Sequence, residues 1–355
     1  VVGPGFSADG TLMVTGSVGL RANTLGEGNI QVWNTADPHR PRRIGELAGL
    51  APITDLKVAP DGRTVATVDQ SASTVRLFDL SAPEALRPLT DLALPARYTY
   101  ALAFRPDSRV LLTQHDDHAI RLWDLSDRAR PAPLGDPLVP LADGFVTAAE
   151  FSPDGGVLAM ASGGRGVLWD VSDPLRPRQI GHPFGIGTNA VRRLAFSPDG
   201  HTLVTGGDDG LRLWDIAVPA RPELVGGPLA THSVASLAVS PDGGLVASGG
   251  DDAAVRLWDI SDRGRPKPIR HSLALASTPS WKVAFHPGGR AKPTRAGVRS
   301  AGLFLAGSGE SGVLRMWNLD AARAAARICE VTRSILTPAT WRRVLPQLRY
   351  DPPCA

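Results

Sequence analysis

Seven aromatic–polar pairs punctuate the chain: Trp33-Asn34, Phe78-Asp79, Trp123-Asp124, Trp169-Asp170, Trp214-Asp215, Trp258-Asp259 and Trp317-Asn318. Successive aromatics lie 45, 45, 46, 45, 44 and 59 residues apart. A fixed period of this size means one supersecondary unit copied along the chain, each copy burying its faces against its neighbours. A turn signature precedes every pair: FSADG from residue 6, APDG from 59, FRPDS from 104, FSPDG from 151 and 196, VSPDG from 239 and FHPGG from 285. In such a turn proline presets φ, aspartate bonds its own backbone and glycine accepts positive φ.

Each unit reads as four strands. In the fifth, VRRLAF ends at the turn and TLVTGG follows. LRLWDI then alternates, with Leu211, Leu213 and Asp215 on one face and Arg212 and Trp214 on the other. A fourth strand is expected after an Arg-Pro segment that recurs in six units, as in SDRARPAPLG, SDPLRPRQIG and SDRGRPKPIR. That strand would be outermost. Proline and charge blunt such an edge, so the segment reads as turn and edge chemistry, with its arginines in a solvated belt.

These motifs, in this order and at this period, resemble the Trp-Asp (WD) repeat family over residues 1–320. The resemblance implies an all-β, seven-bladed β-propeller with one four-stranded sheet per blade. The family's last blade usually borrows its outer strand from the N-terminus. Only five residues precede Phe6 here, so a three-stranded last blade is expected. The family's buried network of histidine, serine or threonine, aspartate and tryptophan is matched best by His232, Ser248, Asp252 and Trp258. Unit three keeps Thr113, Asp117 and Trp123 without a histidine in the preceding loop; unit four has Arg165 near the aspartate's place and unit two has Phe78 for tryptophan. Most blades should then rest on apolar packing. His232 and Asp252 as a catalytic pair is the weaker reading beside a satisfied structural bond.

Residues 321–355 change character. DAARAAARICEVTRSIL is rich in helix formers, Thr337-Pro338 suits a helix start, and Trp341, Leu345 and Leu348 share one face. A helical tail packed on the propeller, covering the last blade's open edge, is the expectation. Whether Cys329 and Cys354 pair is left open. The pattern SDPxRP…LG and the tail also resemble the C-terminal propellers of actinobacterial multidomain proteins, which often follow a STAND-type signalling ATPase. The resemblance implies a cytoplasmic, non-catalytic interaction or sensing module, covalently linked to an upstream effector domain.

Composition sets the remaining bounds. Hydrophobic residues make up 43% and charged residues 21%, a globular balance with no apolar run long enough to cross a bilayer. Net charge is only +3, which leaves no broad electrostatic footprint for nucleic acid. The insertion 289–301 is basic, with Arg290, Lys292, Arg295 and Arg299, but it has no interleaved aromatic residues to stack on bases. The GEG at 26–28 lacks the lysine, serine and helix start of a phosphate loop. HDDH at 115–118 reads as a polar turn, since four adjacent side chains cannot converge on one ion. No metal, cofactor or nucleophile–base set is expected. The expected partner is a protein or peptide, met at the mouth of the central channel. Stepping back four from the residue before each turn gives Thr54, Tyr100, Thr147, Arg192, Ala235 and Trp281 as channel-lining positions, with Tyr98 and Phe145 just upstream. Of these, Tyr98, Tyr100, Phe145, Arg192 and Trp281 are the candidate contacts.

Overall fold

A computed structural model describes residues 2–319 apart from 18–19, 22–23, 26, 70–73, 93, 95–97, 140–144, 163, 188–190, 231–232, 251, 253, 270–272, 275–279, 290–302 and 310–313. Their strands form the expected seven-bladed β-propeller, with the two 3-10 turns Pro83–Ala85 and Pro287–Gly289 as the helical content among the described residues. Blades one to five are four-stranded antiparallel meanders, each running from an inner strand to an outer one. The inner strands are Val2–Phe6, Ile53–Val58, Thr99–Phe104, Val146–Phe151, Val191–Phe196, Ser236–Val239 and Ser280–Phe285. Each touches the inner strand of the next blade, and Ser280–Phe285 touches Val2–Phe6, so the ring closes. In blade six two outer segments, Lys267–Pro268 and Leu273–Ala274, both pair with Ala254–Asp259. Blade seven has three strands among the described residues, Ser280–Phe285, Phe304–Gly309 and Leu314–Asn318. The glycine-rich insertion of blade one carries a small hairpin, Leu20–Arg21 with Thr24–Leu25. The tail expected to be helical, with Cys329 and Cys354, lies outside the described residues.

The turn signature works through its hydroxyl. In blade four Ser152 Oγ donates to Asp154 Oδ1 at 2.5 Å and accepts from Val157 N at 2.8 Å, while Gly156 N donates to Asp154 Oδ1 at 3.0 Å. Blades one, five and six repeat the arrangement with Ser7, Ser197 and Ser240. Burial alone would push Asp199 up. The Ser197 hydroxyl, the His201 N–H and the Arg263 guanidinium outweigh it and bring the group down to about 2.

Six apolar clusters each straddle two neighbouring blades, from the blade one–two pair (Val14, Ile30, Val32 against Leu56, Val65, Phe78) round to the blade six–seven pair (Ala247, Val255, Leu257 against Val283, Phe285, Leu305). Each third strand adds its aromatic. In four blades the indole N–H donates to a hydroxyl on the second strand: Trp33 to Thr15 at 3.2 Å, Trp123 to Thr113 at 2.9 Å, Trp214 to Thr205 at 3.2 Å and Trp258 to Ser248 at 3.0 Å. The hydroxyl always stands two residues beyond the aromatic's cross-strand partner. In blade four that position is Met160, and Trp169 Nε1 is left without a partner. The indole–hydroxyl pair of the polar network is thus present in these four blades. Asp117 and Asp252 each pair with the arginine of their own third strand, Arg121 and Arg256. His232 lies outside the described residues.

Blade three departs further. A histidine does join its network, from the second strand rather than the preceding loop. His115 Nε2 is 2.7 Å from Thr113 Oγ1 and its Nδ1 is 3.3 Å from Thr99 Oγ1. The ring is fully buried. Burial, with the nearby Arg121 charge, lowers its pKa to about 4 against the pull of Asp117 and Asp116.

The Arg-Pro segments lie where the sequence placed them, between the third and the outer strand. Not all their arginines are simply solvated. Arg128 of blade three donates back to Arg63 O at 2.7 Å and to Asp79 at 3.3 Å, both in blade two, and Arg263 of blade six pairs with Asp199 of blade five. The glycine that ends the segment has its own task. Beside Gly45, Gly135 and Gly181 runs the turn of the following blade, whose Pro83, Leu175 or Ala220 carbonyl occupies or crowds the place of a Cβ.

Candidate partner-binding mouth and axial channel

The inner strands carry a regular irregularity. In blades two to five and seven the pairing with the second strand skips a residue between the first and third positions, for example Ile53/Asp55 and Val191/Arg193. The skipped residues are Thr54, Tyr100, Thr147, Arg192 and Trp281, the positions that simple counting made channel-lining. A bulge inserts one unpaired residue, so counting across it reassigns every side chain beyond. Thr54 and Thr147 turn back, each donating to a second-strand carbonyl, Val68 O and Ala161 O, at 3.3 Å. Tyr100 and Arg192 stand out at the rim.

There Tyr98 and Tyr100 are about half exposed, at 56% and 50%. Tyr100 meets the exposed Phe145 edge to face with ring centroids 5.1 Å apart, and His118 meets Phe145 at 5.4 Å. Two inner strands, from blades three and four, and the blade-three turn thus build one aromatic cluster. His118 holds a positive φ of 63° in that turn, which aims its ring outward while His115 of the same HDDH points into the blade. That divergence separates the would-be metal ligands, and no group of three or more metal-ligating side chains forms among the described residues. Arg192, one blade further, pairs with Asp208 at 2.7 Å. Cluster and ion pair both lie where chain enters an inner strand or turns between second and third strands. They therefore share one face of the ring. The Trp281 side chain and the loop holding Arg290, Lys292, Arg295 and Arg299 lie outside the described residues.

Beyond the bulge the inner strands present charge. Asp55 receives the Leu102 N–H of the next blade at 3.3 Å and the Lys282 ammonium, from blade seven, at 2.7 Å. Lys57 and Arg193 act electrostatically on this pair, and Lys57, Asp55 and Arg193 act on Glu150. Desolvation raises Asp55, but Lys282, Lys57 and Arg193 hold it below the usual carboxylate range; Lys282 is lowered chiefly by its burial. Glu150 is raised, chiefly by burial, with Asp55 adding and Lys57 and Arg193 opposing. Sequence reading missed this group. Its signal was an Asp, an Arg and a Lys three residues before the residue that closes each inner strand.

The WD40 family, described as "WD domain, G-beta repeat", matches residues 96–124, 176–215 and 226–259. Protein groucho of Drosophila melanogaster is 35% identical over 105 residues, 29% of this chain and 14% of its own length. Transducin-like enhancer protein 2 of Mus musculus is 34% identical over 109 residues, 30% of this chain and 14% of its own. The chain thus spans about a seventh of these relatives. Among solved structures, the Cps50 (Swd1) β-propeller domain of Myceliophteria thermophila superposes with a TM-score of 0.69 at 19% identity, over 88% of this chain and 94% of that one. A chain of the COPII outer coat vertex on membranes does so at 0.67 and 16%, over 90% and 84%. No helix among the described residues is long and apolar enough to cross a membrane. The chain is a seven-bladed β-propeller that carries WD40 repeats at residues 96–124, 176–215 and 226–259.

Proposed function

We propose that this propeller is a non-catalytic protein-interaction module that receives a protein or peptide partner on the face carrying Tyr98, Tyr100, Phe145 and Arg192, with Trp281 on the same rim. The observation that carries the reading is the exposed Tyr100–Phe145–His118 cluster. Three rings from separate segments converge at a mouth, with Tyr98 beside them, and aromatic anchors beside a rim ion pair suit peptide capture. The similar proteins add support of a general kind, since the COPII chain is part of an assembled coat. A polypeptide segment with an acidic group could compete with Asp208 for Arg192.

The finer setting follows from the Arg-Pro repeats and the tail pattern. On that resemblance the module is the sensing or docking end of a bacterial multidomain signalling protein, works in the cytoplasm, and has residues 321–355 packed on the propeller. Nucleic-acid binding through the basic 289–301 loop is the lesser reading, and steep salt dependence would mark it.

Peptides selected by display against the wild-type chain test the mouth. The triple substitution Tyr98→Ala, Tyr100→Ala, Phe145→Ala should weaken the selected peptides by about tenfold or more, with little change in Tm because these side chains are exposed. Undiminished binding by the triple variant would remove the mouth from the proposal.

A further inference from the structure

The outer strands of blades one, three and four each carry a glycine where the next blade's turn crosses, Gly45, Gly135 and Gly181. Blade two breaks that rule. Its outer strand pairs Thr90 with Leu77 just as blade one pairs Gly45 with Val32, so a threonine holds the glycine's place. A side chain there keeps off the close carbonyl that the next blade brings to the other three. The turn of blade three is tied to blade two elsewhere, by Arg128 donating to Arg63 O and to Asp79. Between Thr90 and the Ala129, Arg130 and Pro131 of that turn lies a groove of about 660 Å³, a size that suits a ligand. Leu92, Leu94, Trp123 and Leu134 supply its apolar lining.

The two walls differ. On the blade-three side stand Pro131, Pro133 and Pro137, which have no N–H to offer a neighbouring strand. On the blade-two side runs the outermost strand, Arg87–Leu92, whose one proline, Pro88, precedes Thr90. Leu89 to Leu92 therefore keep their backbone donors, and among the described residues no strand pairs with their outer edge. The charges of the lining differ too. Asp91 holds Arg76 through two bonds, at 2.7 and 3.0 Å, and Arg121 pairs with Asp117. Arg130 and Asp136, both exposed, form no ion pair among the described residues.

We propose that this groove is a second docking site, separate from the mouth, for an extended polypeptide segment of a partner protein. The segment adds a strand to the open edge of blade two and turns alternate apolar side chains onto Trp123 and Leu134. It sets an acidic residue against Arg130 and a basic residue against Asp136. The open backbone edge selects a polypeptide, since a small apolar molecule would leave that edge unpaired. The two spare charges select its sequence. Arg130 and Asp136 are six positions apart, a span of at most about 20 Å, so the acid and the base of an extended segment stand about four to six residues apart.

Random dodecapeptides displayed against the Tyr98→Ala, Tyr100→Ala, Phe145→Ala variant test the groove alone, because that bait lacks the mouth. Selected peptides should share an acid and a base at that spacing, with apolar residues alternating between them. Adding Ala129→Trp to the bait fills the groove from an exposed turn position and should weaken the peptides by about tenfold or more. Adding Arg130→Glu, a surface change that leaves the fold alone, should weaken them by about fivefold or more. Arg176→Glu, at the same place in the blade-four turn, should change nothing. Bound peptide should also slow hydrogen exchange in Arg87–Leu92. A selection that yields no binder overturns the proposal, as do peptides that bind the Ala129→Trp or Arg130→Glu bait undiminished, or that leave exchange in Arg87–Leu92 unchanged. A dimer of the wild-type chain that Ala129→Trp dissolves would give the groove to a second copy and overturn it as well.

Discussion

At the scale of single residues, His115 is the side chain whose chemistry most changes how the molecule responds to its surroundings. Its two ring nitrogens are engaged by Thr113 and Thr99, and it is wholly buried. A histidine whose folded pKa is about 4, against an ordinary 6.5, takes up a proton more readily in the unfolded chain. Its contribution is therefore complete above pH 6.5 and is lost progressively as pH falls from 6.5 to about 4, amounting to about 3 kcal/mol across that window. His115→Gln cannot take the proton. Its stability should fall less between pH 6.5 and 4 than that of wild type, as read from denaturant midpoints at each pH. Parallel curves would show that the ring does not govern the acid limb. The sequence held every residue of this network. The reading went astray because it sought a histidine in the loop before the inner strand, whereas in blade three it sits two residues after the threonine it bonds. The indole–hydroxyl pairs were legible in principle, since register alone places the hydroxyl; Met160 in blade four shows the same rule by exception.

At the scale of elements, the strand order came directly from the period and the turn signature, because both report the same repeated meander. The outer strands needed more. The Arg-Pro segment looked like a device for blunting an edge, and the final glycine looked incidental. In the structure that glycine is where the next blade's turn crosses. At Gly181 φ is 62° and a Cβ would lie 2.6 Å from the Ala220 carbonyl oxygen. At Gly226 φ is 68° and the space is open. The two positions separate strain from contact. Gly226→Ala bears only the left-handed backbone cost, about 1 kcal/mol, whereas Gly181→Ala adds a backbone collision and should cost about 2–3 kcal/mol. Thermal or denaturant unfolding of the two variants checks the order; equal losses would mean that the turn moves aside freely. The bulge of the inner strands was the harder case. Nothing in a six-residue strand announces which residue will be left out of the ladder. A period-two count stops at the bulged residues Tyr100 and Arg192 and passes over Asp55, Arg193 and Lys282 beyond them.

At the scale of the whole molecule, the seam between blades seven and one differs from the other six interfaces. Among the described residues, those six carry the apolar clusters, and this one shows a set of polar and aromatic contacts. Ser308 Oγ donates to Gly3 O at 2.6 Å, and Lys282 reaches past blade one to Asp55. His286 takes the place of the turn serine. Its Nδ1 accepts from Gly288 N at 3.1 Å, which leaves Nε2–H to donate across the seam to Gly10 O at 2.8 Å and Thr35 O at 3.2 Å. Phe6, Phe304 and His39 extend this contact as a run of edge-to-face rings. Gly10 admits the imidazole because a Cβ there would lie 2.5 Å from it. Each described strand of blade seven comes from residues 280–318 and each of blade one from residues 2–50, so among the described residues these side chains tie together segments far apart in sequence. His286→Ala would open a cavity and take the imidazole donor from Thr35 O, while Gly10 O keeps the Thr35 hydroxyl, a loss of about 2–3 kcal/mol. Because that loss falls at one interface, the ring should open there first. Hydrogen exchange in the variant should accelerate in Val2–Phe6 and Phe304–Gly309 well before Val146–Phe151 and Val191–Phe196, which lie on the opposite side of the ring. Uniform acceleration of all seven inner strands would instead mean that the ring unfolds as one unit, with no weaker joint.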